Sequence, residues 1–433
     1  MTSTSSPDTL TEATAPVPET PRRGGLWSGR YAMFIAAAAL FVLVAIVRAA
    51  TDTSSLTSSQ TIGAALRATI PIMLAGLAGL WSERVGVVNI GIEGMMILGT
   101  WFGAYGAWHW GAWAGLALAA VGGALGGLIH AVATVRFNVD HVISGVAINI
   151  AAFGAMRYLS ELAFVGEQGG GISQSPPQSS AIPKLSVPLL AGGWDTPDWL
   201  GTLEAKHWFL LSDLAGVLRG FVFNVSWATV IALALVPLTW WVLWRTRIGL
   251  RLRSSGEAPA AAETLGVKVV PLRYLGLAIG GAFAGLGGGF LSIVSSSYYR
   301  QGQTAERGYI GLATTIFGNW RPSGVLGGAG LFGFGEALNL VGRAALPKLF
   351  LVIGIVALAL AVRALMKRHI AGGVVGLVLG ALGIVAFLTV DQVPEPLTKS
   401  VPYALTLIVL ATAARRLRPP AWAGRPFRSG ESH

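Results

Sequence analysis

Residues 87–107 read Val-Val-Asn-Ile-Gly-Ile-Glu-Gly-Met-Met-Ile-Leu-Gly-Thr-Trp-Phe-Gly-Ala-Tyr-Gly-Ala, with Glu93 as the one charged side chain. A helix needs about 20 mostly apolar residues to cross the hydrocarbon core of a bilayer. This stretch has the required length, and it is one of many. Comparable runs occupy 31–50, 62–81, 111–134, 141–165, 221–244, 272–296, 324–345, 347–366, 370–390 and 401–414. A shorter apolar piece, 308–319, lies between Arg307 and Arg321. At about 1.5 Å rise per residue it is too short to span unless tilted, so it reads as a half-helix or re-entrant piece. The fold class that follows is all-α: a polytopic membrane helical bundle of about 10–12 transmembrane helices.

Composition agrees. Of the 433 residues, 53% are hydrophobic and only 12% charged, against about a quarter charged in soluble domains. That balance excludes a disordered chain, a collagen-like repeat and an ordinary soluble globule. There is no cysteine, which removes disulfides, thiolate metal sites and cysteine nucleophiles. The six histidines show no metal-ligand spacing. The net charge of +11 raises a nucleic-acid reading, but Lys and Arg concentrate in short segments between apolar runs, as in cytoplasmic loops.

Orientation follows from that bias. With the N-terminus inside and 308–319 counted as one crossing, the inner segments are 1–30, 82–86, 135–140, 245–273, 320–323, 363–369 and 415–433. They hold 20 of the 31 Lys and Arg. Both termini are then cytoplasmic, which requires an even number of crossings: twelve, or ten if one hairpin only dips into the bilayer. The expected organisation is a disordered inner tail over 1–30, a transmembrane domain over 31–414 and an inner tail over 415–433. Residues 166–219 form a long outer loop, 245–271 an inner basic loop, and the first apolar run is an uncleaved anchor.

Polar residues inside apolar runs are costly and mark cavities or partner helices. On a continuous helix Asn89, Glu93 and Met96 share one face, either lining a solute pathway or with Glu93 paired structurally to Arg67 or Arg84. Asn149, Arg157, Glu161, Asn319, Glu336 and Asn339 are similarly placed. They do not form the chain of carboxylates that a proton pump requires. Glycines recur four apart at 276/280, 281/285/289, 99/103 and 122/126, a spacing that lets helices approach closely. In the basic loop, Pro259 suits a helix first turn and Gly266 a C-cap, so 260–265 reads as a short projecting helix. There is no GxxxxGK[ST] phosphate loop and no GxSxG elbow, so the chain carries no standard P-loop ATPase.

Three stretches carry a family resemblance. Ser-Glu-Arg-Val-Gly-Val-Val-Asn-Ile-Gly-Ile-Glu-Gly-Met-Met at 82–96 resembles the motif of bacterial nucleoside-type ABC transporter permeases, within the ribose and branched-chain amino-acid permease group. Arg-Gly-Tyr-Ile-Gly-Leu-Ala at 307–313, continuing to Ile-Phe-Gly-Asn-Trp-Arg-Pro at 316–322, is a second match. The 249–267 loop is similar to the family's coupling segment, with Ala258 where asparagine is usual, and the tail from Pro402 to Phe427 also fits.

The resemblance implies a type II-like ABC importer permease architecture in the bacterial plasma membrane. This chain would be a non-enzymatic subunit that binds no cofactor, with ATP and Mg on a separate cytoplasmic ATPase. A second, non-identical permease and an extracytoplasmic substrate-binding lipoprotein complete the implied assembly, and no nucleic acid takes part. Coupling to the ATPase maps onto Gly256, Glu257, Ala260, Ala261, Thr264, Leu265 and Gly266. The expected solute is a nucleoside, with a simple sugar as alternative. Its pathway would draw on Asn89, Glu93, Met96, Phe102, Asn149, Tyr309, Asn319 and Glu336. Residues 347–390 are an extra hairpin relative to the family pattern. An ion-coupled secondary transporter would need more intramembrane acids and inverted repeats, and a membrane-embedded enzyme would need clustered catalytic groups at a boundary.

Overall fold

The structure is a computed structural model that describes residues 30–51, 56–341, 346–390, 393–394 and 417–428. The chain divides into two units, Met1–Leu43 and Val44–His433. In the first, the described part is helical from Arg30. The expected tail over 1–30 lies almost wholly, and the expected span 401–414 wholly, outside the described residues.

The elements are helices α1 (Arg30–Thr51), α2 (Ser59–Arg84), α3 (Ile92–Trp110), α4 (Ala112–Ala131), α5 (His141–Phe164), α6 (Trp199–Ala205), α7 (Leu211–Val222), α8 (Trp227–Arg245), α9 (Arg247–Glu257), α10 (Pro259–Thr264), α11 (Val269–Phe290), α12 (Arg307–Phe317), α13 (Pro322–Val341), α14 (Leu346–Met366) and α15 (Ile370–Thr389). Strands β1 (Lys184–Leu185) and β2 (Val225–Ser226) form a two-residue antiparallel ladder. Short π-helical turns, Val132–Arg136 and Leu291–Ser295, continue α4 and α11. Among the described residues, seven helices are long and apolar enough to cross a membrane. The protein is a polytopic helical membrane protein, as the apolar runs predict.

Helix starts are set by local chemistry. Ser58 caps α2 by accepting from the Thr61 N–H at 3.3 Å. Asp140 caps α5 through the N–H groups of Val142 and Ile143 at 2.8 and 3.1 Å. α2 is the axis of the bundle, packed by α7, α11, α12 and α13. Ile70, Met73, Leu77 and Leu80 on it are fully buried. α3, α4 and α11 touch backbone to backbone: a Cβ at Gly288 would lie 2.1 Å from the Met96 carbonyl oxygen, and one at Gly123 2.1 Å from that of Gly281. Side chains as large as alanine do not fit there, which is why glycine recurs on these helices. α5, α14 and α15 instead present Ile150, Leu360 and Leu388 outward, as lipid-facing helices do.

Several expectations need correction. Residues 87–91 are not helical; α3 begins at Ile92, so Asn89 and Glu93 do not share a helix face. The 166–219 region is a folded cap rather than a plain loop. It contains β1, α6 and most of α7, drawn together by Arg219 with Asp198 at 2.7 Å and with Glu204 at 3.4 Å. Asp213 of the cap pairs with Arg48 at 2.9 Å and accepts from Thr57 at 2.5 Å. The run predicted over 221–244 is correspondingly two elements, α7 ending at Val222 and α8 starting at Trp227. The short piece near 308–319 is α12, eleven residues long and so about 16 Å, half the hydrocarbon thickness. α14 and α15 pair as a hairpin, with Gly354 against Gly380, and Leu349 and Phe350 anchor it on Phe334 and Leu338.

Candidate functional site

The half-helix α12 starts without a side-chain cap of its own, and its preceding residue Glu306 has φ +62°. Four N–H groups at a helix start lack partners and carry positive partial charge. Glu93, 7% exposed in the first turn of α3, supplies the missing acceptors: Oε2 takes the Gly308 N–H at 2.7 Å and Oε1 that of Glu306 at 3.2 Å. Glu93 pairs with neither Arg67 nor Arg84. Asn149 of α5 closes the same node. Its Oδ1 accepts from Gly94 N–H at 2.6 Å, and its Nδ2 donates to the Ile90 carbonyl at 3.1 Å and the Tyr309 hydroxyl at 2.9 Å. One carboxylate and one amide thus bind α3, α5 and α12 together.

The other predicted pathway residues lie elsewhere. Asn89 is fully buried and donates to Ser82 Oγ at 3.2 Å. Met96 packs under the glycines of α11, and Phe102 covers Gly122. Asn319, in the turn after α12, accepts from the Arg418 N–H at 2.7 Å. Glu336 of α13 pairs with Arg307 at the start of α12.

That ion pair borders an open cavity of about 460 Å³, lined on α2 by Gly63, Arg67 and Pro71, on the strand side by Asn224, Ser226 and Thr229, and on the π-turn by Ser295. Its volume falls within the range of small-molecule sites, about 300–1,000 Å³. A second cavity of about 960 Å³ continues from it past Asn224 and Arg67 towards the cap, where Glu204, Asp213 and Arg219 lie. Arg67 is exposed and lines both cavities. It has no hydrogen bond or ion pair among the described residues. Pro71 leaves the Arg67 carbonyl without its intrahelical N–H donor one turn below the arginine. The cavity therefore offers an unpaired guanidinium, hydroxyls, an amide and a neutralised Arg–Glu pair. With Lys184 also on its wall, the lining is positive overall and presents many hydrogen-bonding groups to a solute.

Of the expected pathway residues, Glu336 lines this cavity; Arg67 was expected only as a partner for Glu93, and the hydroxyls of Ser226, Thr229 and Ser295 were not expected. Arg67 had a usable signal, being an arginine inside a predicted span with no acid within a turn. The hydroxyls had none, since their facing depends on β2 and on the π-turn.

A second face is built from α9 and α10. Thr246 caps α9 by accepting from Gly249 N–H at 3.0 Å. Gly256 lies on the Arg84 carbonyl, where a Cβ would stand 2.4 Å from the oxygen. Glu257 pairs with Arg84 at 3.5 Å, and Arg84 also donates to the Trp320 carbonyl at 2.7 Å. Trp244 receives the guanidinium groups of Arg84 and Arg253, 5.2 and 5.5 Å from its ring centre. Pro259 opens α10. Its end is a Schellman motif: Val267 N–H to the Ala262 carbonyl at 3.0 Å and Gly266 N–H to that of Glu263 at 2.9 Å, with Gly266 at φ +80°. Leu265 is 84% exposed at the tip. The predicted short projecting helix is thus the observed geometry, and its tip is apolar.

The sequence profile described as branched-chain amino acid transport system / permease component matches residues 61–359. A guanosine ABC transporter permease protein of Bacillus subtilis is 36% identical over 280 residues, covering 63% of this chain and 79% of that protein. A nucleoside ABC transporter permease protein of Lactococcus lactis is 32% identical over 279 residues, with the same coverage. A putative glucose ABC transporter permease protein of Haloferax volcanii is 34% identical over 289 residues, 64% and 76% of the two chains. No solved structure matches.

Proposed function

The chain belongs to the branched-chain amino acid transport system permease family, the membrane-embedded, non-catalytic subunits of ABC transporters, and we propose that it forms one half of the pathway of an importer for nucleosides. The observation that carries the solute class is the cavity at Arg67. It has hydrogen-bonding groups for a ribose and for base edges, and no unpaired carboxylate to attract a cation. Two relatives named for guanosine and nucleoside transport support this reading. A glucose-transport relative keeps a simple sugar as the second reading, since hydroxyl and amide groups serve a sugar as well.

Such subunits work with an ATPase and a substrate-binding partner. In our reading the ATPase grips Leu265 on the inner face, both chain termini lie on that side, the cap over 166–222 faces outward to the binding lipoprotein, and a non-identical permease completes the pathway. The concentration of Lys and Arg in 245–273 and in the tails supports this orientation. α2 is the mechanical link. It carries Arg84, under the α9–α10 corner, and Arg67, at the cavity, 17 residues apart and so about 26 Å along the axis. ATP binding can move this link only if the ATP-bound and ATP-free partners contact α10 differently.

Uptake of tritiated guanosine and of glucose in a deletion strain, with and without the plasmid-borne gene, tests the solute class. Guanosine accumulation that disappears with the deletion is the expected result. Glucose accumulation in its place transfers the assignment to sugars. Leu265→Arg leaves the folded permease intact, because the side chain is exposed, and lowers co-elution of the ATPase at least tenfold. Undiminished co-elution and uptake in this variant would remove α10 from the docking role.

A further inference from the structure

Residues 417–428 run along the face where α9 and α10 meet the bundle. Five contacts, spread over ten residues, fix the path. Arg418 N–H donates to Asn319 Oδ1 at 2.7 Å, in the turn between α12 and α13. Ala421 N–H donates to Glu257 Oε2 at 3.0 Å. Trp422 N–H donates to the Gly256 carbonyl at 2.9 Å, and Gly424 N–H to the Gly86 carbonyl at 3.2 Å, in the turn after α2. Phe427, 3% exposed, inserts between Ala262 of α10 and Val269 of α11.

Each contact answers a local need. Gly256 is in the last turn of α9, where carbonyls have no intrahelical donor. α10 has six residues, too few to hold a helix in water without packing, and the apolar contact of its buried Ala262 is completed by Phe427. Arg273, 1% exposed at the start of α11, has Nε and Nη2 buried without a hydrogen-bond partner among the described residues. Its guanidinium instead faces the Phe427 ring, 5.2 Å from the centre.

We propose that the segment 417–428 is a strap that positions the docking helix α10 and ties its displacement to the turns after α2 and α12, with Phe427 as its anchoring residue. This rests on the reading of α10 as the ATPase contact. The strap touches neither cavity; it acts through α10. Without it, α10 hangs from α9 and the start of α11 alone, and a pull on Leu265 bends the linker at Ala258 in place of moving α2.

The test uses the assembled transporter in proteoliposomes, with ATPase, second permease and binding lipoprotein, measuring ATP hydrolysis and tritiated guanosine uptake together. Phe427→Ala, and a chain ending at Leu417, are expected to lower uptake per ATP hydrolysed at least tenfold. Phe427→Leu, which restores an apolar anchor, should recover it to within threefold. Loss of ATPase co-elution in Phe427→Ala that Phe427→Leu restores supports the strap equally, because α10 is then presented only when anchored. A wild-type ratio of uptake to hydrolysis in both the Ala variant and the shortened chain overturns it. If the shortened chain does not fold, hydrogen exchange on the wild-type complex decides. Protected amides at 421, 422 and 424 that change together with 259–266 on nucleotide trapping support the strap, and amides there exchanging as free chain refute it. A wild-type complex that hydrolyses ATP without accumulating guanosine or glucose sinks the importer reading, and the exchange measurement still reports on the strap.

Discussion

Replacing Glu93 by Gln separates a structural acceptor from a solute contact. The carboxylate takes two backbone N–H groups at the start of α12, at 2.7 and 3.2 Å. A hydrogen bond to a charged group contributes about 1.5–3 kcal/mol, and a negative charge at a helix start adds about 0.3–1 kcal/mol. The Gln amide keeps one acceptor oxygen and turns an NH2 group towards the other N–H, so the loss is about 2–3 kcal/mol. That is roughly a 30- to 160-fold shift in the equilibrium between seated and unseated α12. Glu93→Ala removes both acceptors and costs about twice as much. Hydrogen exchange of the purified permease, followed on peptides covering residues 304–310, should accelerate by that factor in the Gln variant, while peptides from the interior of α2 stay unchanged. Uptake per folded molecule should fall far less than exchange rises. Unaltered exchange with abolished uptake would refute the capping argument and return Glu93 to the solute pathway.

Three further outcomes follow from the geometry. Arg67→Ala should reduce guanosine uptake at least tenfold in the reconstituted transporter without altering thermal unfolding or ATPase co-elution, because Arg67 makes no hydrogen bond or ion pair among the described residues; unchanged uptake would move the pathway away from this cavity. Gly285→Ala should lower thermal stability by about 1–3 kcal/mol or prevent assembly of the helix trio, since its Cβ would lie 2.2 Å from the Ala119 carbonyl oxygen; a stable, active variant would show that α4 and α11 can separate. Burial pushes the Tyr299 phenol up to about 12, against the lowering effect of its hydrogen bond with Ser160. Its folded value lies above the unfolded one, so this contribution is intact below about pH 10 and is lost as pH rises towards 12. Ultraviolet difference titration of wild type against Tyr299→Phe should show one late-titrating phenol, and its appearance near pH 10 would contradict the burial.

Helix boundaries were legible where the cause is local. The runs at 62–81, 111–134, 141–165, 347–366 and 370–390 each contain a helix close to the expected limits. The α10 stop at Gly266 was readable from one glycine after an alanine-rich run. The misreadings came where an apolar run did not mean one helix. Val87 and Val88 are apolar but non-helical, because the turn after α2 is held by Gly86 at φ +90° and by the backbone bonds of Gly86 and Val87 to Glu83 and Ser82. Phe221 and Val222 continue the apolar pattern of α8 yet belong to α7, since Asn224 at φ +54° breaks the helix between them.

Chain chemistry alone determined that this is a bundle of membrane helices with a short basic-flanked projecting helix, because span length, charge bias and capping residues act over a few turns. It also supplied the glycine spacing that makes close packing possible. Which polar groups meet was decided by tertiary structure. Glu93 caps a helix 215 residues away, Asn149 reaches Tyr309 across 160, and Ala421 bonds to Glu257 across 164. A buried carboxylate or amide must find a partner, but the sequence names only the need. The partner is whatever the packed helices bring within 3 Å, and that is a property of the assembled bundle.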